Sequence, residues 1–125
     1  MAAKKTKKGP ARPATGVTLD EVRELALALP EAHERTSYGT PAFRVRDKLF
    51  ARVLDDGESI VIKMDIDQRE ALLLSAPDVF SVTPHYQSYP MVIVRLGTIK
   101  RALLHELLTV AWRRAAPRSL ANKSF

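Results

Sequence analysis

From Thr18 onward the chain shows a helical repeat. Leu19, Val22, Leu25, Ala26 and Leu29 recur at spacings of three and four, which puts them on one stripe of a helix and predicts that the stripe meets a core. Thr18 and Glu21 match the reciprocal capping box, hydroxyl to amide and carboxylate back to amide. Pro30 ends the helix, since its ring cannot continue the hydrogen-bond ladder. Residues 31–41 then read as a polar connection holding Tyr38 and Gly39. There the period falls to two. Phe43 and Val45 alternate with Arg44 and Arg46 in a half-buried strand, and Asp47-Lys48 reverses the chain. Leu49, Ala51 and Val53 alternate with Phe50, Arg52 and Leu54 on the way back. Residues 55–58 form another turn, where Gly57 is free to take positive φ, and the β-branched run at 60–64 predicts a third strand.

Asp67 with Glu70 repeats the helix-start signal, predicting a short helix over 69–74 that ends near Ala76-Pro77. Val79, Phe80 and Val82 mark a short strand, 83–90 a loop, and 91–96 a strong strand. The longest pattern comes last: Ile99, Ala102, Leu103, Leu107, Leu108, Ala111, Trp112 and Ala115 form a helical stripe running from a Thr98 cap to Pro117. The predicted order is α-β-β-β-α-β-β-α. Strands joined by tight turns pair antiparallel, so this is an α+β fold, an antiparallel sheet covered on one face by helices. At 125 residues with 46% hydrophobic content and no internal repeat, one domain is expected.

Charge divides the chain unevenly. The formal net charge is +6, yet residues 1–16 hold five cations (Lys4, Lys5, Lys7, Lys8 and Arg12) and no acid, leaving 15 basic against 14 acidic side chains in the rest. The leading segment has no Val, Leu, Ile or aromatic residue, so burial cannot offset its ordering entropy; residues 1–17 are expected to be a disordered basic arm. The folded domain is then 18–118, with a tail at 119–125. Arg113 and Arg114 suit the last turn of a helix, whose carbonyl end attracts cations. No apolar run approaches the ~20 residues a bilayer helix needs and no secretory signal opens the chain, so the expectation is a cytoplasmic protein without membrane contact.

Several chemistries lack their residues. The chain has no cysteine, which excludes disulfides, thiolate metal sites and a thiol nucleophile. His33, His85 and His105 lie 52 and 20 positions apart, unlike metal-site spacing. No G-x-S-x-G turn presents any serine beside a base, and the glycines at 9, 16, 39, 57 and 97 cannot form a phosphate cradle. Asp65 and Asp67 stand where a helix takes N-terminal acids. No catalytic residue, metal or cofactor is expected.

Two loops concentrate functional groups beside prolines. Residues 37–41, SYGTP, hold Tyr38; residues 83–90, TPHYQSYP, hold His85, Tyr86 and Tyr89, so the chain's three tyrosines are confined to these loops. Such side chains stack on bases or planar ligands while their polar tips hydrogen-bond. They equally suit a rigid loop packed over a sheet edge.

The segments LPEAHERTSYGTPAFRVRDKLFARV, DDGESIVIKMD, VFSVTPHYQSYPMVIVRL and AWRRAAP occur in this order and together resemble the MmcQ/YjbR family, a domain family of unknown function, over roughly 18–118. The resemblance implies a single α+β domain. It also implies DNA binding, because family members are described as DNA-binding from a fold that looks like a double wing, whose hairpins or loops would contact a duplex. It carries no catalytic residues. The leading expectation is therefore a monomeric, non-enzymatic DNA-binding protein. Its arm (Lys4, Lys5, Lys7, Lys8, Arg12) would attract phosphate, and Arg44, Arg46, Lys48 and Arg52 would touch the backbone of the duplex. The alternative is a small-ligand or protein-recognition module built on Tyr38, His85, Tyr86 and Tyr89.

Overall fold

The capping box forms at the position its residues mark. In the computed structural model, which describes residues 16–124, the Glu21 amide donates to Thr18 Oγ1 at 3.2 Å and the Thr18 amide donates to Glu21 Oε1 at 3.0 Å. Helix α1 then spans Leu19–Leu27 and buries Val22, Leu25 and Ala26. The cations assigned to the arm, Lys4, Lys5, Lys7, Lys8 and Arg12, lie outside the described residues.

Six strands follow: β1 (Ala32–Ser37), β2 (Thr40–Val45), β3 (Lys48–Val53), β4 (Ser59–Lys63), β5 (Phe80–Ser81) and β6 (Met91–Arg95). They form one antiparallel sheet in the order β1-β2-β3-β4-β6-β5. Helix α2 (Ile66–Ser75) precedes β5, and α3 (Arg101–Ala115) and α4 (Arg118–Ser124) close the chain. The α+β fold and its antiparallel sheet are as expected; the element order gains a strand and a helix.

The extra strand is β1, where a polar connection was expected. Its sequence, AHERTS, has no apolar alternation, because it is an edge strand that packs little of itself into the core. What places it is the ladder to β2, from Ala32↔Val45 to Ser37↔Thr40. The extra helix is α4, in the expected tail. The Leu120 and Ala121 amides donate to the Pro117 carbonyl, and Ala121 is buried. At the other end the fold begins earlier than Thr18. The amides of Gly16 and Val17 donate to the carbonyls of Ile99 (2.7 Å) and Leu96 (2.8 Å). Gly16 has φ +101°, and a Cβ there would sit 3.2 Å from the Gly97 carbonyl oxygen, so this strap needs glycine.

Helix starts shift as well. Helix α3 begins at Arg101, and the Thr98 hydroxyl, expected to cap it, donates instead to the carbonyls of Asp78 (3.0 Å) and Arg95 (3.3 Å). Ala102 is exposed while Leu104 is fully buried. Helix α2 starts at Ile66 after Asp65, so Asp67 lies in its first turn.

A bulge changes the phase of β3. Phe43 pairs with Ala51 but Arg44 pairs with Leu49, which leaves Phe50 as the extra residue. Phe50 and Ala51 are both buried in the main core, and Leu49 turns to the opposite face. The main core lies between the sheet and the helices: Phe43, Val45, Ile60, Ile62, Val92 and Val94 against α1 and α3. Trp112 is fully buried there, and its indole N–H donates to the Pro30 carbonyl at 2.8 Å. The opposite face carries a smaller cluster of Val61, Met91 and Ile93, on which Leu54, Val82 and Tyr86 pack. The candidate site is on that face.

Candidate functional site

Tyr38 and Gly39 alone join β1 to β2, with φ +54° and +82°. Two-residue hairpin loops favour this left-handed pair because it matches the twist of the flanking strands. Glycine meets the demand freely; tyrosine does so under strain. The strained residue is also one of the most exposed, with its surface 89% accessible. Beneath it stands Arg52 of β3, paired across the sheet with Val61. The Arg52 guanidinium carbon lies 5.5 Å from the Tyr38 ring centroid, within cation–π reach, and its Nη1 donates to Thr40 Oγ1 at 3.0 Å.

The second aromatic loop arrives from the other side of the cavity. Pro84–Tyr86 make a 3-10 turn, which the Tyr86 amide closes on the Thr83 carbonyl at 3.0 Å. The rings of His85 and Tyr86 meet edge to face with centroids 4.9 Å apart; Tyr86 and Tyr89 do so at 6.4 Å. Both distances suit an attractive aromatic cluster. The loop backbone is held by Arg69 of α2, which is 1% exposed. Its Nη2 donates to the Gln87 carbonyl (2.8 Å) and its Nη1 to the carbonyls of Tyr89 (3.0 Å) and Met91 (3.2 Å).

Between these loops lies a cavity of about 530 Å³. Tyr38, His85, Tyr86 and Tyr89 form its walls, and Leu49, Val61 and Met91 supply apolar floor. Two cations, Arg52 and Lys63, enter against one acid, Asp55. The four side chains singled out in the two aromatic loops, Tyr38, His85, Tyr86 and Tyr89, are thus brought to one place. Reading the sequence did not find Lys63, Asp55 or Leu49, because lining this cavity depends on strand pairing and on the bulge. It also missed Arg69, which looks like any charged residue on an exposed helix.

The hairpin cations separate. Arg52 lines the cavity, whereas Lys48 lines a neighbouring one. Arg44 donates to the Asp47 carbonyl at 3.2 Å. Arg46, with φ +55°, grips Glu31 through Nε at 2.6 Å and Nη2 at 3.2 Å; this hydrogen-bonded carboxylate raises the Arg46 pKa further. His33 lies on β1 and His105 on the exposed side of α3. Among the described residues no three of His, Asp and Glu come together to hold a metal ion. No helix there is long and apolar enough to cross a membrane.

These features define a small α+β domain with an aromatic and cationic cavity on the sheet face away from its core helices. The YjbR family model matches residues 27–114, more than half of the chain, and the chain belongs to that family, whose domain is of unknown function. Uncharacterized proteins of Mycobacterium bovis and Mycobacterium tuberculosis are 46% identical to it over 52 residues, 42% of this chain. The match spans 40% of the length of those relatives. The crystal structure of Deinococcus radiodurans protein DR2400, a DUF419 domain, superposes with a TM-score of 0.71 at 21% identity, covering 90% of this chain and 91% of that one. That likeness shows a shared fold.

Proposed function

We propose that this protein is a non-catalytic recognition module for a small planar ligand bearing an anionic group. The observation that carries the reading is the convergence of Tyr38 with His85, Tyr86 and Tyr89 around one cavity that also holds Arg52 and Lys63. Its volume, about 530 Å³, falls among those of small-molecule sites. Aromatic walls favour a flat ring. Two cations against Asp55 favour negative charge, and the planar fork of Arg52 matches a carboxylate or phosphate.

The test is a titration of the isotope-labelled protein with a panel of planar aromatic carboxylates, followed by chemical shifts. Saturable shifts should concentrate at Gly39, Arg52, Tyr86 and Tyr89, and Arg52→Gln should weaken binding by about tenfold, the usual value of a charge-assisted hydrogen bond. Shifts scattered over the surface, or none, would reject the cavity as a ligand site.

Duplex DNA binding is a second reading. It is favoured by the concentration of five cations in residues 1–16 and by the double-wing likeness that the family resemblance implies. In this reading Arg46 would exchange its exposed ion pair with Glu31 for a phosphate.

A further inference from the structure

We infer that the ligand is a nucleoside di- or triphosphate, its base in the tyrosine cavity and its phosphates in an adjoining basic groove. This deepens the proposed reading of the tyrosine cavity and rests on it. A second cavity, about 270 Å³, shares Leu49 and Lys63 with the first. These two residues form the sill between a ring-binding chamber and a chamber lined by Lys48 of β3 and, from α3, by Arg114 beside the small side chains of Ala111 and Ala115. Three cations and no acid line the second chamber.

The bulge creates this continuity. Without the extra residue at Phe50, Leu49 would share a face with Ala51 and point into the core; with it, Leu49 spans the two chambers. Charge supports the same assignment. Arg114 lies in the last turn of α3, where helix carbonyls favour cations with no ligand present. Lys48 and Lys63 belong to strands, so that explanation does not reach them, and among the described residues neither is ion-paired. Arg114 does contact Asp65, at 3.3 Å, but that carboxylate is 73% exposed and such surface pairs are weak enough to exchange for a phosphate. Aromatic stacking beside cations that neutralise phosphate is the chemistry by which proteins hold nucleotides. The tyrosines surround one chamber and do not form a row, so a single base is accommodated rather than a strand of successive bases.

Calorimetric titration of the full chain with adenosine, ADP, GDP, CDP and a short single-stranded oligonucleotide tests the inference. At least one diphosphate should bind about tenfold or more tightly than adenosine, as expected of added charge-assisted contacts, and more tightly than the oligonucleotide per site. Lys48→Gln and Arg114→Gln, made singly and together, should weaken the diphosphate and leave aromatic carboxylate binding at Tyr86 and Tyr89 unchanged. Equal affinity for adenosine and the diphosphates, indifference to both substitutions, or preference for the oligonucleotide overturns the nucleotide assignment. If the carboxylates still shift Tyr86 and Tyr89 in that case, the cavity reading survives; if no planar compound does, both are lost.

Discussion

Tyr38 concentrates the functional argument in one side chain. Its backbone occupies the left-handed region at φ +54°, at a cost of roughly 1–2 kcal/mol for a residue with a Cβ. The residue is 89% exposed, so core packing does not repay that cost. The contact with Arg52 at 5.5 Å contributes only about 0.5–1 kcal/mol at an exposed position. The balance favours a residue kept for binding. Tyr38→Asn, which tolerates left-handed backbone, should therefore leave the urea midpoint unchanged or raised while ligand affinity falls by about tenfold, comparable to losing one stacked ring. A drop of more than about 1 kcal/mol in stability with unaltered affinity would instead make Tyr38 a packing residue, since strain and cation–π terms cannot account for it.

Helix α2 illustrates why an element's character is hard to read from its own residues. Its buried residue is Arg69, and the pattern around it is only weakly amphipathic, so nothing local marks the arginine as buried. In the fold its guanidinium donates to two carbonyls of the aromatic loop, Gln87 and Tyr89, and to that of Met91 at the start of β6, and that loop forms one side of the cavity. Arg69→Met keeps the side chain's bulk but removes a donor from each carbonyl, and only that of Tyr89 is known to keep another, from the Met91 amide at 2.8 Å, so destabilisation of about 1–3 kcal/mol is expected from the lost charge-assisted hydrogen bonds. The conservative Arg69→Lys, a point charge without the planar fork, should recover only part of this. Both variants should move the Tyr86 and Tyr89 ring resonances even where the remainder of the spectrum stays folded. Unmoved rings would mean that the loop holds its shape without α2. Strands show the same limit: β2, β4 and β6 were visible because they alternate or are strongly β-branched, whereas β1 was hidden because a polar edge strand is defined by its partner's hydrogen bonds.

Across the molecule, charge and shape point to different partners, and salt separates them. The five cations of residues 1–16 would release counterions on binding duplex DNA, giving a slope of about −4.5 in log affinity against log salt. Deleting those residues should remove most of that slope and leave ligand shifts at Tyr86 and Tyr89 intact. No salt-dependent duplex binding at micromolar protein would end the DNA reading while leaving the cavity reading untouched. The helix stripes, the β2–β3 hairpin, the two aromatic loops and the family resemblance could all be read along the chain, because periodicity, turn residues and capping are properties of near neighbours. The pairing of β1, the bulge that turns Leu49 out of the core, the burial of Arg69 and the meeting of Tyr38 with Tyr86 and Tyr89 could not. Each depends on hydrogen-bond register and packing between segments distant in sequence, and local pattern carries no record of which distant segment will supply the partner.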